Sequence, residues 1–255
     1  MISLSVVIIT FNEERNILNC LQSVEGIADE IIVLDSFSKD RTKEICLREK
    51  VKFYERAFTG FNDQKNYALS LASSPYILSL DADEVLSPEL KKSIQAAKEN
   101  WVSDGYTMNR LTNYCGTWIR HCWYPDTKLR MWDLRKGNWD CNKIHEKVDL
   151  ADGATISHLQ GDLLHYSYHT LDDHLRQLHK FNEIAALSAY NDNKKSSFLK
   201  LIYKPVAIFF RLYILKQGFR DGYSGFLIAR ISAFGAFMKY ARLRQLHESH
   251  KQTNR

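Results

Sequence analysis

The chain predicts an α/β fold: a doubly wound, mostly parallel sheet with helices on both faces, followed by amphipathic helices. Three observations carry this. Short apolar runs alternate with helix-period segments through the first hundred residues, the pattern of a parallel sheet covered on both faces. Polar clusters stand at the ends of four successive runs, where ligands bind in such sheets. After Gly105 the pattern changes to short strands rich in Trp, Tyr, Asn and Arg.

In order, Leu4–Thr10 is a continuous β-branched run and is predicted as a buried strand. Asn12 or Asn16 is expected to cap the next helix, in which Ile17, Leu21 and Val24 make one apolar stripe. A second strand is expected over 30–34, with a helix after Lys39, a short strand over 51–54 and a helix over 64–71. A fourth strand is expected over 76–80. Pro88 sits where a first helical turn tolerates it, opening a helix over 89–99. From 105 to 165 the periodicity is weak. Aromatic and amide side chains there suit sugar rings, whose C–H faces stack while hydroxyls need fixed partners; aromatic packing in a mixed-sheet core accounts for at least some of Trp118, Trp123, Trp132 and Trp139. Leu171, Leu175, Leu178 and Phe181 lie at helical spacing on a helix over 171–190. Beyond a polar break come two apolar segments, 206–215 and 226–238. Each is interrupted by an arginine and is well short of the ~20 residues a spanning helix needs.

These elements divide into 1–104, a nucleotide-binding α/β half; 105–193, an acceptor and catalytic half of the same domain; and 194–255, a basic helical tail. Thirteen Lys/Arg face two acidic residues from Lys194 onward, whereas 22 basic face 28 acidic residues before it. An acidic body with a basic tail points to an anionic surface, membrane lipid ahead of nucleic acid. Basic flanks on aromatic, Leu/Ile-rich helices suit a helix lying in a membrane interface, a reading that the local charge excess places ahead of packing on the body or on a second subunit. Five cysteines, odd in number and without Cys-x-x-Cys, argue against a disulfide framework or zinc ribbon and for buried thiols in a reducing compartment. No basic region or cleavage site precedes the first strand, so no signal peptide is expected.

The chemistry sits at the strand ends. Ile77-Leu78-Ser79-Leu80-Asp81-Ala82-Asp83-Glu84 runs a strand into two aspartates, hard oxygen ligands suited to Mg²⁺ or Mn²⁺ on a diphosphate. Asp83 is the expected metal ligand, with Asp81 beside it on ribose or metal-bound water. Thr10-Phe11-Asn12-Glu13 ends the first strand, Asp35-Ser36-Phe37-Ser38-Lys39-Asp40 the second, and Gln64-Lys65-Asn66 follows the third. Glu13 and Asp35 accept from a base N–H or ribose hydroxyl, amides at a helix start meet phosphate, and Lys65 offsets diphosphate charge. Taken singly, each cluster reads as caps, turns and surface charge. Four in succession are not explained that way.

Ser5-Val6-Val7-Ile8-Ile9-Thr10-Phe11-Asn12-Glu13, Val33-Leu34-Asp35 with its following turn through Thr42, and Leu80-Asp81-Ala82-Asp83-Glu84 together resemble the inverting glycosyltransferase family 2, over roughly residues 3–170. The resemblance implies the GT-A fold, a nucleotide-sugar donor, usually a UDP-sugar, and a divalent cation, Mg²⁺ or Mn²⁺, at the Asp-x-Asp. Donor binding then falls to Thr10, Asn12, Glu13, Asp35, Lys65, Asp81, Ala82, Asp83 and Arg130. Inversion needs a base on the acceptor hydroxyl; Glu146, in Ile144-His145-Glu146-Lys147, is the candidate on the family pattern, with Asp126, Asp133 and Asp140 as rivals. Enzymes of this fold frequently use a histidine downstream of the base as a further metal ligand, which makes His165 a candidate beside Asp81 and Asp83; His169 and His174 are weaker ones. The Gln64-Lys65-Asn66 stretch is also similar to a bacterial branch that adds glucose to the lipopolysaccharide inner core. That branch implies a lipid-linked acceptor and a peripheral place on the inner face of the cytoplasmic membrane.

Other classes fit less well. No glycine follows the first strand, against a dinucleotide oxidoreductase. A nucleotidyltransferase or sugar pyrophosphorylase wants a Gly-rich basic loop there. A non-catalytic nucleic-acid- or membrane-binding module has the basic tail as its support. No His-Glu-x-x-His spacing supports a zinc hydrolase.

Overall fold

The computed structural model describes residues 1–140 and 147–253. Strand β1 (Leu4–Thr10) is buried almost throughout, and its alternate side chains feed two cores. Leu4, Val6 and Ile8 enter one core with Ile17, Cys20 and Leu21 of helix α1 (Ile17–Ser23). Val7 enters the other with Ile32 and Leu34 of β2 (Glu30–Asp35). Helix α2 (Thr42–Arg48) leads to β3 (Lys52–Glu55), and α3 (Phe61–Ser70) to β4 (Tyr76–Asp81) and the short β5 (Glu84–Leu86). Helix α4 (Pro88–Glu99) places Leu90 and Ile94 in the α1 core, while α3 places Ala68 and Leu69 in the other, so the sheet is covered on both faces. Each fully buried Leu, Ile or Val side chain contributes about 1.5–3 kcal/mol. Continuous apolar strands are therefore the direct consequence of two-sided cover.

Strands β3, β2, β1 and β4 pair in parallel, with Thr10 opposite Asp35 and Ile9 opposite Asp81. The second half of the chain adds antiparallel strands: β6 (Gly105–Tyr114), β7 (Thr117–Trp118), β8 (Asp126–Asp133), the separate hairpin of β9 (Gly137–Trp139) with β10 (Val148–Leu150), and β11 (Ile156–Tyr168). The main sheet runs β3-β2-β1-β4-β8-β6-β11-β5, with β7 on β6. β4 meets β8 with Leu78 opposite Met131, and β5 meets β11 with Glu84 opposite His165. The start of α4 is locked onto β11: Ser87 Oγ accepts from Leu90 N and Asp162 N, at 3.2 and 3.1 Å. Gly161 at φ +94° lies so close to the helix that a Cβ would stand 2.3 Å from Leu90 N, which only glycine allows.

Two compact units emerge. One holds residues 1–111 and 126–166; the other holds 112–125 and 167–255. In the second, α5 (Leu171–Asn191) begins with a capping box between Thr170 and Asp173. Helix α6 (Phe198–Phe210), entered through a Ser197 cap, continues as a π-helical turn over Arg211–Leu215. Helix α7 (Gly222–Thr253) packs against both α5 and α6. At Gly235 a Cβ would come within 2.6 Å of Leu178 Cδ1, so the end of that α5 side chain fills the space left by the missing one on α7. The segment 112–125 is held here by Asp221, whose carboxylate accepts from the backbone N–H groups of Arg120, His121 and Cys122 at 2.9–3.2 Å.

Two local expectations change. Asn16 occupies the N-cap of α1, but its side chain accepts nothing from the helix and donates instead to Glu13 Oε2 at 2.7 Å. Asn12 does not cap either: at φ +55° its Oδ1 accepts from Lys39 N at 2.8 Å and ties the first loop to the second. The apolar segment 226–238 is the middle of a much longer helix.

Candidate active site

The parallel strands deliver the loops after β1, β2 and β4 side by side. Thr10 is buried; its carbonyl accepts from Ser36 N at 2.9 Å, and its hydroxyl has no hydrogen-bond partner among the described residues. Asp35 is fully buried and turns into its own loop, accepting from Ser38 N at 2.7 Å and Ser38 Oγ at 2.5 Å. Ser38 Oγ in turn accepts from Asn12 N at 2.8 Å, and Thr42 Oγ1 from Glu13 N at 2.8 Å. Phe37, between Asp35 and Ser38, takes φ +62°, a strained setting for a bulky side chain that these bonds enforce. Glu13 sits among other acids. Burial first, then the charge of Asp83, push its carboxyl up to about 7 against the opposing hydrogen bond from Asn16.

The aspartate pair divides in two. Asp81 is clasped by cations: Lys65 Nζ lies 2.9 Å from one oxygen and Arg130 Nη2 2.6 Å from the other. Burial acts to raise its carboxyl, but Arg130 and Lys65 overcome it and hold the group far below the usual carboxylate range. Lys65 itself is buried, with Nζ 4.4 Å from the Trp139 ring centre, a cation–π contact that helps hold the charge away from water. Trp139 is fixed by Asn66, whose amide exchanges bonds of 2.9 and 3.1 Å with its backbone. Ala82, buried, separates the pair. Asp83 faces the other way: His165 Nε2 is 3.2 Å from its Oδ2, and its backbone carbonyl accepts from Tyr166 N at 2.9 Å. Against burial, His165 beside it holds the Asp83 carboxyl below the usual range.

A carboxylate oxygen and an imidazole nitrogen side by side at a strand end are donors that a divalent cation accepts. Asp83 and His165 therefore fit such an ion, whereas both oxygens of Asp81 are engaged by Lys65 and Arg130. Among the described residues no set of three His, Cys, Asp or Glu side chains converges as a metal cage. Glu146 lies outside the described residues. Of its rivals, Asp126 is paired with Arg110 and Lys128 at 2.8 and 2.9 Å, and Asp133 with Arg135 at 2.6 Å. His174 is a buried core residue bonded to the Tyr114 hydroxyl at 2.9 Å, and burial pushes its imidazole down to about 4.

Sequence reasoning passed over Glu84. It is fully buried beneath the aspartate loop and accepts from Asp81 N at 3.0 Å, Arg130 Nη2 at 2.5 Å and Arg110 Nη1 at 3.4 Å. Its signal was a third acidic residue immediately after Asp-x-Asp, on a segment too short to read as a strand. Trp139, which forms the floor under Lys65, carries no signal that separates it from the other tryptophans.

Parallel strands ending in interlocked polar loops, with a cation-clasped aspartate and an Asp–His pair, make a built polar site at the carboxyl ends of an α/β sheet. Residues 5–151 match glycosyl transferase family 2, and the chain belongs to that family; it is a glycosyltransferase with the GT-A fold. It is 30% identical to the lipopolysaccharide core biosynthesis glycosyltransferase LpsC of Rhizobium meliloti, across 96% of this chain and 93% of that protein. It is 29% identical to the uncharacterized glycosyltransferase RT0209 of Rickettsia typhi, across 96% and 88%. Among solved structures, glucosyl-3-phosphoglycerate synthase from Mycobacterium tuberculosis, in complex with Mn²⁺, UDP and glucosyl-3-phosphoglycerate, matches at 20% identity over 44% of each chain with a TM-score of 0.36, a likeness too partial to bear on donor or metal. No described helix is long and apolar enough to cross a membrane.

Proposed function

We propose that this glycosyltransferase moves a hexose, glucose in the first instance, from a UDP-sugar to a hydroxyl of a lipid-linked saccharide such as the lipopolysaccharide inner core, with inversion at the anomeric carbon. The observation that carries the donor half is the split aspartate pair: Asp81 fixed by Lys65 and Arg130, Asp83 beside His165. The Rhizobium relative's role in lipopolysaccharide core biosynthesis supports the acceptor half.

In this reading Thr10, Asn12, Glu13 and Asp35 receive the nucleoside. The buried Thr10 hydroxyl has donor and acceptor capacity to offer a base or sugar edge. Asp81 and Ala82 border the ribose and diphosphate, and Lys65 and Arg130 place positive charge beside the phosphates while keeping Asp81 ionised. Asp83 and His165 hold Mg²⁺ or Mn²⁺, and Asp81 supports that site from its fixed position. The cation, when bound, supplies Lewis-acid charge to the departing diphosphate. Glu146 accepts the proton of the attacking hydroxyl. The basic tail, 194–255, rests on an anionic membrane surface, placing the enzyme peripherally on the inner face of the bacterial cytoplasmic membrane.

The test is UDP release from a panel of UDP- and GDP-sugars with and without Mn²⁺, alongside thermal shift with the same ligands. Metal-dependent stabilisation and slow hydrolysis confined to UDP-hexoses are expected. Stabilisation by GDP-sugars alone, or turnover indifferent to chelator, would refute the donor and metal assignments respectively.

A further inference from the structure

Helix α6 turns an apolar ridge outward. Leu199, Ile202, Tyr203, Val206 and Phe210 follow one another at i, i+3, i+4, i+7 and i+11, which places them on one face. They are 72%, 53%, 48%, 64% and 52% exposed. The opposite side of the same helix, through Leu201, Ile208 and Phe209, is the half-buried side, and α6 packs on α7. The ridge is therefore not the seam that holds the unit together. Lys200, Lys204 and Arg211 follow at i, i+4 and i+11 along one edge of the ridge. Between Lys194 and Arg220 there is no acidic residue. The first acid beyond, Asp221, is buried with its charge spent on backbone amides and on His121.

We propose that this ridge of α6 is the element that enters the lipid headgroup region of an anionic membrane, with Lys200, Lys204 and Arg211 at the level of the phosphates. This deepens the membrane reading above and rests on it. It assigns the contact to one face of one helix in place of the whole tail. An exposed apolar stripe edged by cations, on a helix too short to span, is the composition of an interfacial helix. Charge complementarity selects the occupant: a cationic edge without acids fits anionic phosphate and is mismatched to a second copy of itself.

The experiment is vesicle flotation of the full chain, with phosphatidylcholine alone and with 30% phosphatidylglycerol, for four proteins: wild type, Ile202→Asp/Val206→Asp, Lys200→Gln/Lys204→Gln, and a control, Phe234→Ser/Phe237→Ser, which alters exposed aromatics of α7. Wild type and control are expected to float with the anionic vesicles. The α6 aspartates are expected to weaken binding at least about tenfold, because two aliphatic side chains that would enter the lipid are lost, and the glutamines by about fivefold per lysine, with the loss narrowing in high salt. Ile202 and Val206 are exposed and Lys200 and Lys204 half-buried, so melting temperatures close to wild type are expected and are checked. If wild type floats and the α6 aspartates float equally, the assignment to α6 is overturned while membrane binding stands. If wild type floats with neither vesicle, membrane binding itself is overturned. A wild-type dimer that these aspartates disperse, without flotation, would make the ridge a subunit interface and overturn the proposal.

Discussion

Replacing Glu84 is the sharpest test of how the site is held. The residue is fully buried, and its carboxylate answers a backbone N–H of the aspartate loop and two guanidinium groups. In Glu84→Ala, Arg130 keeps Asp81 at 2.6 Å and Arg110 keeps Asp126 at 2.8 Å, so neither arginine is stripped of every partner. Removing one member of a buried ion pair costs about 3–5 kcal/mol when the other is left alone, and the remaining partners place this case near the low end, about 3 kcal/mol. For a chain of this size that is a fall of roughly 6–12 °C in melting temperature. Glu84→Gln retains an acceptor for Asp81 N but turns an amide NH₂ toward the guanidinium groups. It should cost about 1.5–3 kcal/mol, the range for a hydrogen bond to a charged group. Thermal and urea unfolding followed by circular dichroism give the stabilities. Because Glu84 positions the loop without reaching donor, KM for the donor should rise in Glu84→Gln more than kcat falls. A Glu84→Ala protein melting within about 2 °C of wild type would refute the view that this network holds the loop, since about 3 kcal/mol cannot vanish from a two-state melt.

Three further outcomes are expected. Asp83→Asn should abolish the Mn²⁺-dependent part of donor binding, read by calorimetry, while the melting temperature of the metal-free protein stays within a few degrees; retained Mn²⁺ dependence would count against Asp83 as ligand. Glu146→Gln should leave donor affinity unchanged and lower kcat by about 10²–10⁴-fold, the span of general-base catalysis; near-normal turnover would remove Glu146 from that role. His174, with its folded value near 4 against an ordinary 6.5, contributes stability fully present above 6.5 and lost as pH falls toward 4. Wild-type melting temperature should climb with pH across that window, and His174→Gln should flatten the climb; parallel profiles would show that the ring is not kept neutral by burial.

The parallel half was legible because physics writes it plainly. Two-sided cover demands unbroken apolar runs, so β1, β2 and β4 announced themselves, and Glu13, Asp35 and Asp81 stood out as the first charges after those runs, with Asp83 two residues beyond Asp81. The bonds among those residues were less visible. Asn12 and Asn16 have the right chemistry for capping, yet Asn12 is drawn off by Lys39 and Asn16 by Glu13, partners that spacing within one helix does not reveal. The long reach of α7 was missed for another reason. Its apolar pattern fades after Met238, but Ala241, Leu243, Gln245 and Leu246 are good helix formers, and the helix continues on propensity and packing.

What the chain hides most completely is pairing across distance. Asp221 secures the backbone of 120–122 from about a hundred residues away. It reads from sequence as an ordinary turn acid, because nothing local marks a carboxylate that three amides will claim. Glu84 is the same case nearer the chemistry. Sequence reasoning looks for acids that face a ligand, and it found Asp81 and Asp83. The acid that decides where Asp81 points is the one turned away from solvent, and burial of that kind follows from Arg130 and Arg110 arriving on two later strands. A buried carboxylate is tolerable only where such cations meet it. The fixed geometry of Asp81 is thus a property of four strands together, and it could be seen only once β4, β5, β6 and β8 had been laid in one sheet.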